Sequence, residues 1–504
     1  MSAPPLDVKS ERILWIGALV VCALSLGRAV PSWRDELAAK YDLVYETPSL
    51  RTIELLRDDR NPYDPAVYAH APFWITMYTP LYHAISATMP SDPQRPFLAG
   101  RIVNLSCVLL LVALLFVVRE GESSLAALAL GAFFLVRPVC SNAAILKGDF
   151  LGVMFAFVAV LCADRARVRS AWILPSALCC VLAIASKQSM VAASAACVAF
   201  MLLANRRRGL ALSILLVSLL GAFALLAQLK WGDGFWFSIW TAPQNPMSGA
   251  IFRWLWREML WQPVAMLNLV FGLTMLAVLV ARRGRGAFTE SPFVIYWIAS
   301  AAVLLATLGK LGAAANYFHE WEFASLALMV FAGREVAAAF GGRRFAITVS
   351  AVMIVAAGTE LLLTRGNPMS YTFATPEGNR RAAEQAEKDA ADIRQISGDS
   401  PKILNLYYPG IGYPLPGEIC VNDPYLYALL FQSGKLSPEI LQDALAAREF
   451  DSVIVPINFL SGGYPVAREL LTPLRENYGI AKRFAHRATG PTAGFDYLVP
   501  RPSN

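Results

Sequence analysis

Four short polar stretches interrupt an apolar chain, and their side chains suit proton transfer and anion binding. The first begins at Arg28 and reads R-A-V-P-S-W-R-D-E-L-A-A-K-Y-D-L-V-Y-E-T-P, placing Asp35, Glu36, Asp42 and Glu46 close together. L-K-G-D-F carries Lys147 and Asp149, A-S-K-Q-S carries Lys187 and Gln188, and N-Y-F-H-E carries Asn316, His319 and Glu320. A carboxylate can act as general base on an acceptor hydroxyl. Cationic side chains can stabilise a phosphate leaving group, and a second carboxylate can orient the acceptor or help hold a divalent cation. Together these groups suit transfer of a sugar from a phospholipid donor.

Each group also has a plainer reading. Asp35 and Glu36 suit a solvated helix start, Lys147 and Asp149 an interface salt bridge, and Lys187 a lysine that snorkels to the headgroups. His70, His83 and His319 read as polar lining, because neither H-x-x-x-H nor H-E-x-x-H spacing occurs. No metal site is predicted. Asp42, flanked by aromatics in K-Y-D-L-V-Y-E, is the acid hardest to explain structurally.

The elements that must position these groups are membrane helices. The chain has 504 residues, 56% hydrophobic and 16% charged, with mean hydropathy +0.47. Apolar residues come in blocks of roughly 17–22, enough to cross about 30 Å of hydrocarbon. The net charge of +7 does not argue for nucleic acid, because Lys and Arg cluster between apolar blocks. Seven of the 8 cysteines fall within or near apolar blocks and read as small buried hydrophobes, with Cys420 alone in the tail. No cleavable signal peptide is evident, since the first block is followed by Pro31 and Trp33.

Expected spans cover 13–30, 97–118, 124–139, 150–163, 171–186, 189–204, 209–229, 264–281, 292–309, 322–338 and 344–363. The apolar piece 76–89 is short and contains Pro80 and His83, which suits a re-entrant or interfacial helix. If it does not cross, the clusters at Arg119, Arg165, Arg206–Arg208, Arg282 and Arg343 all fall on the side of Lys9 and Arg12. The positive-inside rule makes that side cytoplasmic. The expected organisation is 1–364 as a transmembrane catalytic domain of about 11 helices, with a first periplasmic loop over 31–96, and 365–504 as a periplasmic α/β domain.

The loop 230–262 holds half of the 12 tryptophans and reads as one or two interfacial helices, serving as anchor or as a wall for a lipid-linked substrate. In the tail, helices are expected over 377–395, 437–448 and 465–478, and strands over 402–407, 450–456 and 494–499.

The chain resembles the GT-C superfamily of membrane glycosyltransferases, in particular the class of protein mannosyltransferases and aminoarabinose transferases, similar to glycosyltransferase family 39. The resemblance rests on Y-D at 41–42, N-P-Y-D at 61–64, Y-T-P-L-Y at 78–82, G-R at 100–101, K-G-D at 147–149, S-K-Q-S at 186–189 and N-Y-F-H-E at 316–320. It implies a polyprenyl-phosphate-sugar donor, an inverting transfer on the outer face of a bacterial inner membrane, and a lipid, lipid-linked glycan or protein acceptor. It also implies a catalytic acid in the first outer loop, placed on Asp42, and a second on Asp149. Asp35, Glu36, Glu46, Lys147, Lys187, Gln188, Asn316, His319 and Glu320 are then expected to bind substrate. Many relatives carry D-E together, whereas Asp42 is followed by Leu43. The choice between Asp42 and Asp35 therefore stays open. Members differ in metal need, so the resemblance implies no cofactor. The alternatives are a transporter or flippase, which calls for ionisable groups near the midplane, and a polysaccharide-assembly protein for lipid-linked glycans.

Overall fold

A computed structural model of the chain describes residues 5–43, 45–118, 121–365, 376–407, 415–457, 459–461, 468–485 and 494–502. A helix stands at each of the eleven expected positions, from Val8–Ala38 to Gly342–Arg365. Among the described residues six segments are long and apolar enough to cross a membrane: Val8–Ala38, Leu98–Val117, Arg206–Trp231, Pro263–Arg283, Ala315–Phe340 and Gly342–Leu363. The chain is therefore a multi-pass membrane protein, and the count of eleven crossings stands as an expectation. Four apolar helices are shorter: Ser123–Leu135, Ser170–Ser186, Ala192–Ala204 and Phe293–Thr307. The helix Asp149–Ala166 carries Asp149, Asp164 and Arg165, more charge than a lipid-facing span of its length holds well. Ser123–Leu135 is buried along nearly its whole length, so protein rather than lipid surrounds it. Gly131 makes its contact with the first helix possible, because a methyl group there would lie 2.9 Å from Val21.

The first helix runs past Pro31 to Ala38 instead of stopping at 30. Asp35 and Glu36 thus sit in its last turns and not in a loop. The apolar piece 76–89 contains only the short helix Leu81–Thr88, preceded by a mostly extended segment. The tryptophan-rich loop forms short helical turns over 233–241 and the helix Gly249–Leu260. Trp254 and Trp261 are more than half exposed, whereas Trp231 packs on Tyr63 with ring centroids 5.3 Å apart.

One buried cation organises the loop after the first helix. Arg101, fully buried, uses all five guanidinium N–H groups. Nε and Nη2 donate to the two carboxylate oxygens of Glu46, at 2.9 and 2.5 Å. Nη1 donates to the carbonyls of Glu36 and Ala39, and Nη2 also to that of Tyr41. Glu46 in turn accepts from the N–H groups of Leu43 and Leu146, 2.9 and 2.6 Å away. The end of the first helix, the loop 39–46 and the turn before Lys147 are tied to one ion pair.

The tail folds around a five-stranded mixed sheet of β1 (Lys402–Asn405), β2 (Glu418–Cys420), β3 (Ser452–Pro456), β4 (Tyr478–Ala485) and β5 (Gly494–Pro500), in the order β2-β1-β3-β5-β4. β1 is parallel to β2 and β3, and β5 is antiparallel to β3 and β4. Alternation along the strands gives the sheet two apolar faces. Ile403 and Ile454 pack with Ile393 of the helix Pro376–Ser397, while Leu404, Val453 and Val455 pack with Leu426, Tyr427 and Leu430 of the helix Pro424–Gln432. The expected helix over 465–478 is corrected to Leu471–Asn477, and Tyr478 opens β4 instead of closing a helix. Positions 465–467 of that expectation lie outside the described residues.

The same tail core includes Tyr68, Phe73 and Ile75 from the loop after the first helix. The Val421 N–H donates to the Pro72 carbonyl at 2.8 Å, and Asn422 bonds both the N–H and the carbonyl of Ile75. Trp74 donates to the Ile419 carbonyl and Tyr427 to the Tyr68 carbonyl. The tail domain is therefore joined to the membrane part through this loop.

Arg101→Met leaves Glu46 buried without its counter-charge, which costs about 3–5 kcal/mol. Thermal unfolding in detergent should show a large drop in midpoint, partly recovered in Arg101→Met combined with Glu46→Leu, which removes the lone charge but leaves five backbone groups without their partners. A drop no larger than that of Arg207→Met, at an exposed position in the first turn of the helix Arg206–Trp231, contradicts the assignment.

Candidate active site

Where the tail domain meets the membrane part, a cavity of about 660 Å³ opens. Its floor and walls come from four separate places. The extended segment before Leu81–Thr88 gives Met77 and Tyr78, the turn before Asp149 gives Lys147, the turn after Ile173–Ser186 gives Lys187 and Gln188, and the segment before His319 gives Lys310, Asn316 and Tyr317. Tyr45 and Trp240 complete the sides. Asp423, Tyr425, Leu426 and Leu429 form a roof supplied by the tail.

Lys187 is buried and paired with Asp149. Its ammonium also lies 5.8 Å from the Tyr78 ring centre and 5.4 Å from that of Tyr317, within cation–π range. Burial works against its charge, but Asp149 together with Tyr78 and Tyr317 holds the ammonium above the ordinary lysine range. Asn316 Nδ2 donates to the same Asp149 oxygen at 2.9 Å. Asp149 thus sits behind the cavity wall and fixes two side chains that face it. Gln188 Nε2 donates to the Met77 carbonyl at 2.7 Å and straps the turn to the extended segment.

Lys147 and Lys310 differ from Lys187, because neither side chain has a hydrogen bond or ion pair among the described residues. Burial lowers the Lys147 ammonium against the attraction of Asp149, Asp42 and Glu46, and burial also lowers Lys310. Half-buried ammonium groups without a counter-ion make a site that favours an anion. His83 lines the cavity as a neutral ring, since burial pushes its imidazolium down to about 4. Among the described residues no group of three or more His, Cys, Asp or Glu side chains is placed to hold a metal ion.

The sequence-derived residues fall into two sets. Lys147, Lys187, Gln188 and Asn316 line the cavity, with Asp149 directly behind them. Asp35, Glu36, Asp42, Glu46, His319 and Glu320 do not line it. Asp35 pairs with Arg34 next to it, Glu36 accepts from Ser32 at 2.8 Å, and Glu46 is committed to Arg101. His319 stacks on Phe150 with ring centroids 4.6 Å apart. Glu320 borders a void of about 20 Å³ behind Lys187. Asp42 is 6% exposed; its Oδ2 accepts from the Glu46 and Thr47 N–H groups and from the Thr47 hydroxyl at 2.6–2.9 Å, which holds the start of the helix Thr47–Arg57. Its Oδ1 is buried with no partner among the described residues. Burial, reinforced by the Glu46 charge, pushes Asp42 up to about 6 despite those donors. Tyr78, Lys310, Tyr317 and Asp423 were not singled out by sequence, although Y-T-P-L-Y and N-Y-F-H-E contain the two tyrosines.

Comparison with described protein families gives no match, and comparison with curated proteins gives none either. Among solved structures the chain is similar to ArnT from Cupriavidus metallidurans in the apo state, with TM-score 0.57 and 13% identity over 94% of this chain and 97% of that one. It is similar to the same protein bound to undecaprenyl phosphate, with TM-score 0.56 and 12% identity over the same shares. The chain thus shares the fold of that ArnT, from the membrane helices through the tail domain, in agreement with the fold that the sequence resemblance implies.

Asp42 gives a pH prediction. Its folded-state value of about 6 lies above its ordinary value of 3.8, so the fold binds this proton more tightly than the unfolded chain does. The stability it contributes is full below about pH 4 and is lost as pH rises through about 6, on the order of 3 kcal/mol in all. Asp42→Asn keeps an acceptor for the Thr47 donors and removes the titration. Unfolding midpoints followed across this window should decline in the wild type and decline less steeply in the variant. Parallel curves contradict the assignment.

Proposed function

We propose that this chain is a glycosyltransferase that moves a sugar from a polyprenyl-phosphate-linked donor to a cell-envelope acceptor. The observation that carries this reading is the cavity itself. It joins the ends of apolar helices to a polar domain and presents Lys147 and Lys310 without counter-ions beside the anchored Lys187. A lipid phosphate matches both halves, with its chain in the apolar phase and its charge against the lysines. The fold shared with a protein solved with undecaprenyl phosphate bound supports the same donor class.

In this reading the acceptor oxygen attacks the anomeric carbon from the face opposite the phosphate. The bond from that carbon to the phosphate oxygen breaks, and the lipid phosphate leaves with the electron pair. Lys147 and Lys310 stabilise the charge gathering on that oxygen. Lys187 is held in place by Asp149, so Asp149 acts as a positioning residue in place of the direct catalytic role expected for it. Asp42, the acid expected from the sequence to take the acceptor's proton, lies outside the cavity lining, with one oxygen fixed by three donors and the other enclosed. In this reading it holds the loop that carries Tyr45, and the acceptor's proton passes to solvent. The basic clusters between helices support an orientation with the cavity and tail on the outer face of a bacterial inner membrane.

The test uses spheroplasts whose lipid pool carries radiolabelled polyprenyl-phosphate sugar. Wild type should form labelled product that mild external periodate and an impermeant hydrazide capture. Lys147→Ala at matched expression should lower the yield by at least about 10-fold, the loss of one charge-assisted contact to phosphate. Undiminished transfer by the variant, or product closed to the external reagents, contradicts the reading.

A further inference from the structure

The cavity has two poles of opposite charge, and the tail domain makes one of them. Lys147, Lys187 and Lys310 come from the membrane part. The single carboxylate in the described lining is Asp423, the N-cap of the helix Pro424–Gln432. It is 7% exposed and has no ion-pair partner among the described residues. Its Oδ1 accepts the Leu426 N–H at 3.0 Å. That bond explains a polar cap but does not explain an acid at this place, since Ser, Thr or Asn caps a helix as well. Beside it Tyr425, 37% exposed, faces the same space, close to Gly312 on the opposite wall. Tyr78 feels both poles, because Lys187 and Asp423 both act on its hydroxyl.

A carboxylate is a poor neighbour for a phosphate, and its presence in a cavity rich in lysine calls for a ligand that brings hydrogen-bond donors as well as an anion. A sugar phosphate has both. We infer that Asp423 and Tyr425 form the subsite for the sugar ring of the lipid-linked donor, with the carboxylate accepting hydrogen bonds from ring hydroxyls and the aromatic ring lying against the ring's apolar face. This rests on the donor class proposed above and adds where its sugar is read: by the tail domain, opposite the phosphate-binding lysines. A charge-assisted hydrogen bond of this kind is worth on the order of 10-fold or more in affinity. The fixed polar contacts of a mostly apolar pocket set its specificity.

Loss of the Asp423 charge should weaken one ligand and spare the other. Purified full-length protein in detergent is titrated with bare polyprenyl phosphate and with a panel of polyprenyl-phosphate hexoses and pentoses. In the wild type at least one glycosylated lipid should bind more tightly than the bare lipid. Asp423→Asn keeps an oxygen for the Leu426 cap, so its unfolding midpoint should match the wild type. It should weaken the preferred glycosylated lipid by about 10-fold or more. Bare polyprenyl phosphate should bind it equally or more tightly, because a negative charge has left the cavity. Equal weakening of both lipids makes Asp423 a structural residue of the roof and overturns the inference. A wild type that binds every glycosylated lipid no better than the bare one overturns it too, as does an Asp423→Asn protein that keeps the full preference. Failure of the wild type to bind even bare polyprenyl phosphate is a different result, and it overturns the proposed donor class.

Discussion

The buried pair of Arg101 and Glu46 is the constraint on which the rest of the site depends. Two charges taken out of water are costly, and such a pair adds little net stability over an apolar replacement. What it supplies here is position. Arg101 reaches carbonyls at Glu36, Ala39 and Tyr41, and Glu46 reaches the N–H groups of Leu43 and Leu146. Five pieces of backbone, from two parts of the chain about a hundred residues apart, are thereby set in one geometry. Asp42 and Tyr45 lie on one of these pieces, and Lys147 follows directly on another.

A second anchor works from the other side. Asp149 opens its helix and holds Lys187 and Asn316, which come from turns far away in sequence. The unpaired lysines therefore stand among fixed neighbours. A site that must stabilise charge as it develops gains from such preorganisation, since nothing has to reorient during the step. The tail domain completes the enclosure. It is fastened through Pro72, Trp74 and Ile75 to the same loop that Arg101 positions, so roof and floor share one support.

Much of this was legible in the sequence where physics is local. Apolar blocks marked all eleven helices, and alternation with turn residues marked β1, β3 and β5 in the tail. Lys147, Lys187, Gln188 and Asn316 stood out because a polar side chain in an apolar chain is costly unless used. What stayed hidden depends on long-range contact. Glu46 looked like a free acid because Arg101, its partner, sits inside an apolar helix fifty-five residues on. Pro31 suggested a helix end, yet packing of the first helix against its neighbours carries it on to Ala38. β2 has three residues and gives too short a pattern to read. Asp423 carries no sequence signal of its own, and only the fold brings it over lysines that precede it by more than a hundred residues.

The central claim is that the cavity between Lys147, Lys187 and Asp423 holds a lipid phosphate. The most direct measurement is an experimental structure of the full chain with polyprenyl phosphate bound. The account predicts density for the phosphate within hydrogen-bonding distance of Lys147 or Lys310, with the lipid chain leaving toward the apolar helices. Phosphate density elsewhere on the protein, with this cavity empty at saturating lipid, would contradict it.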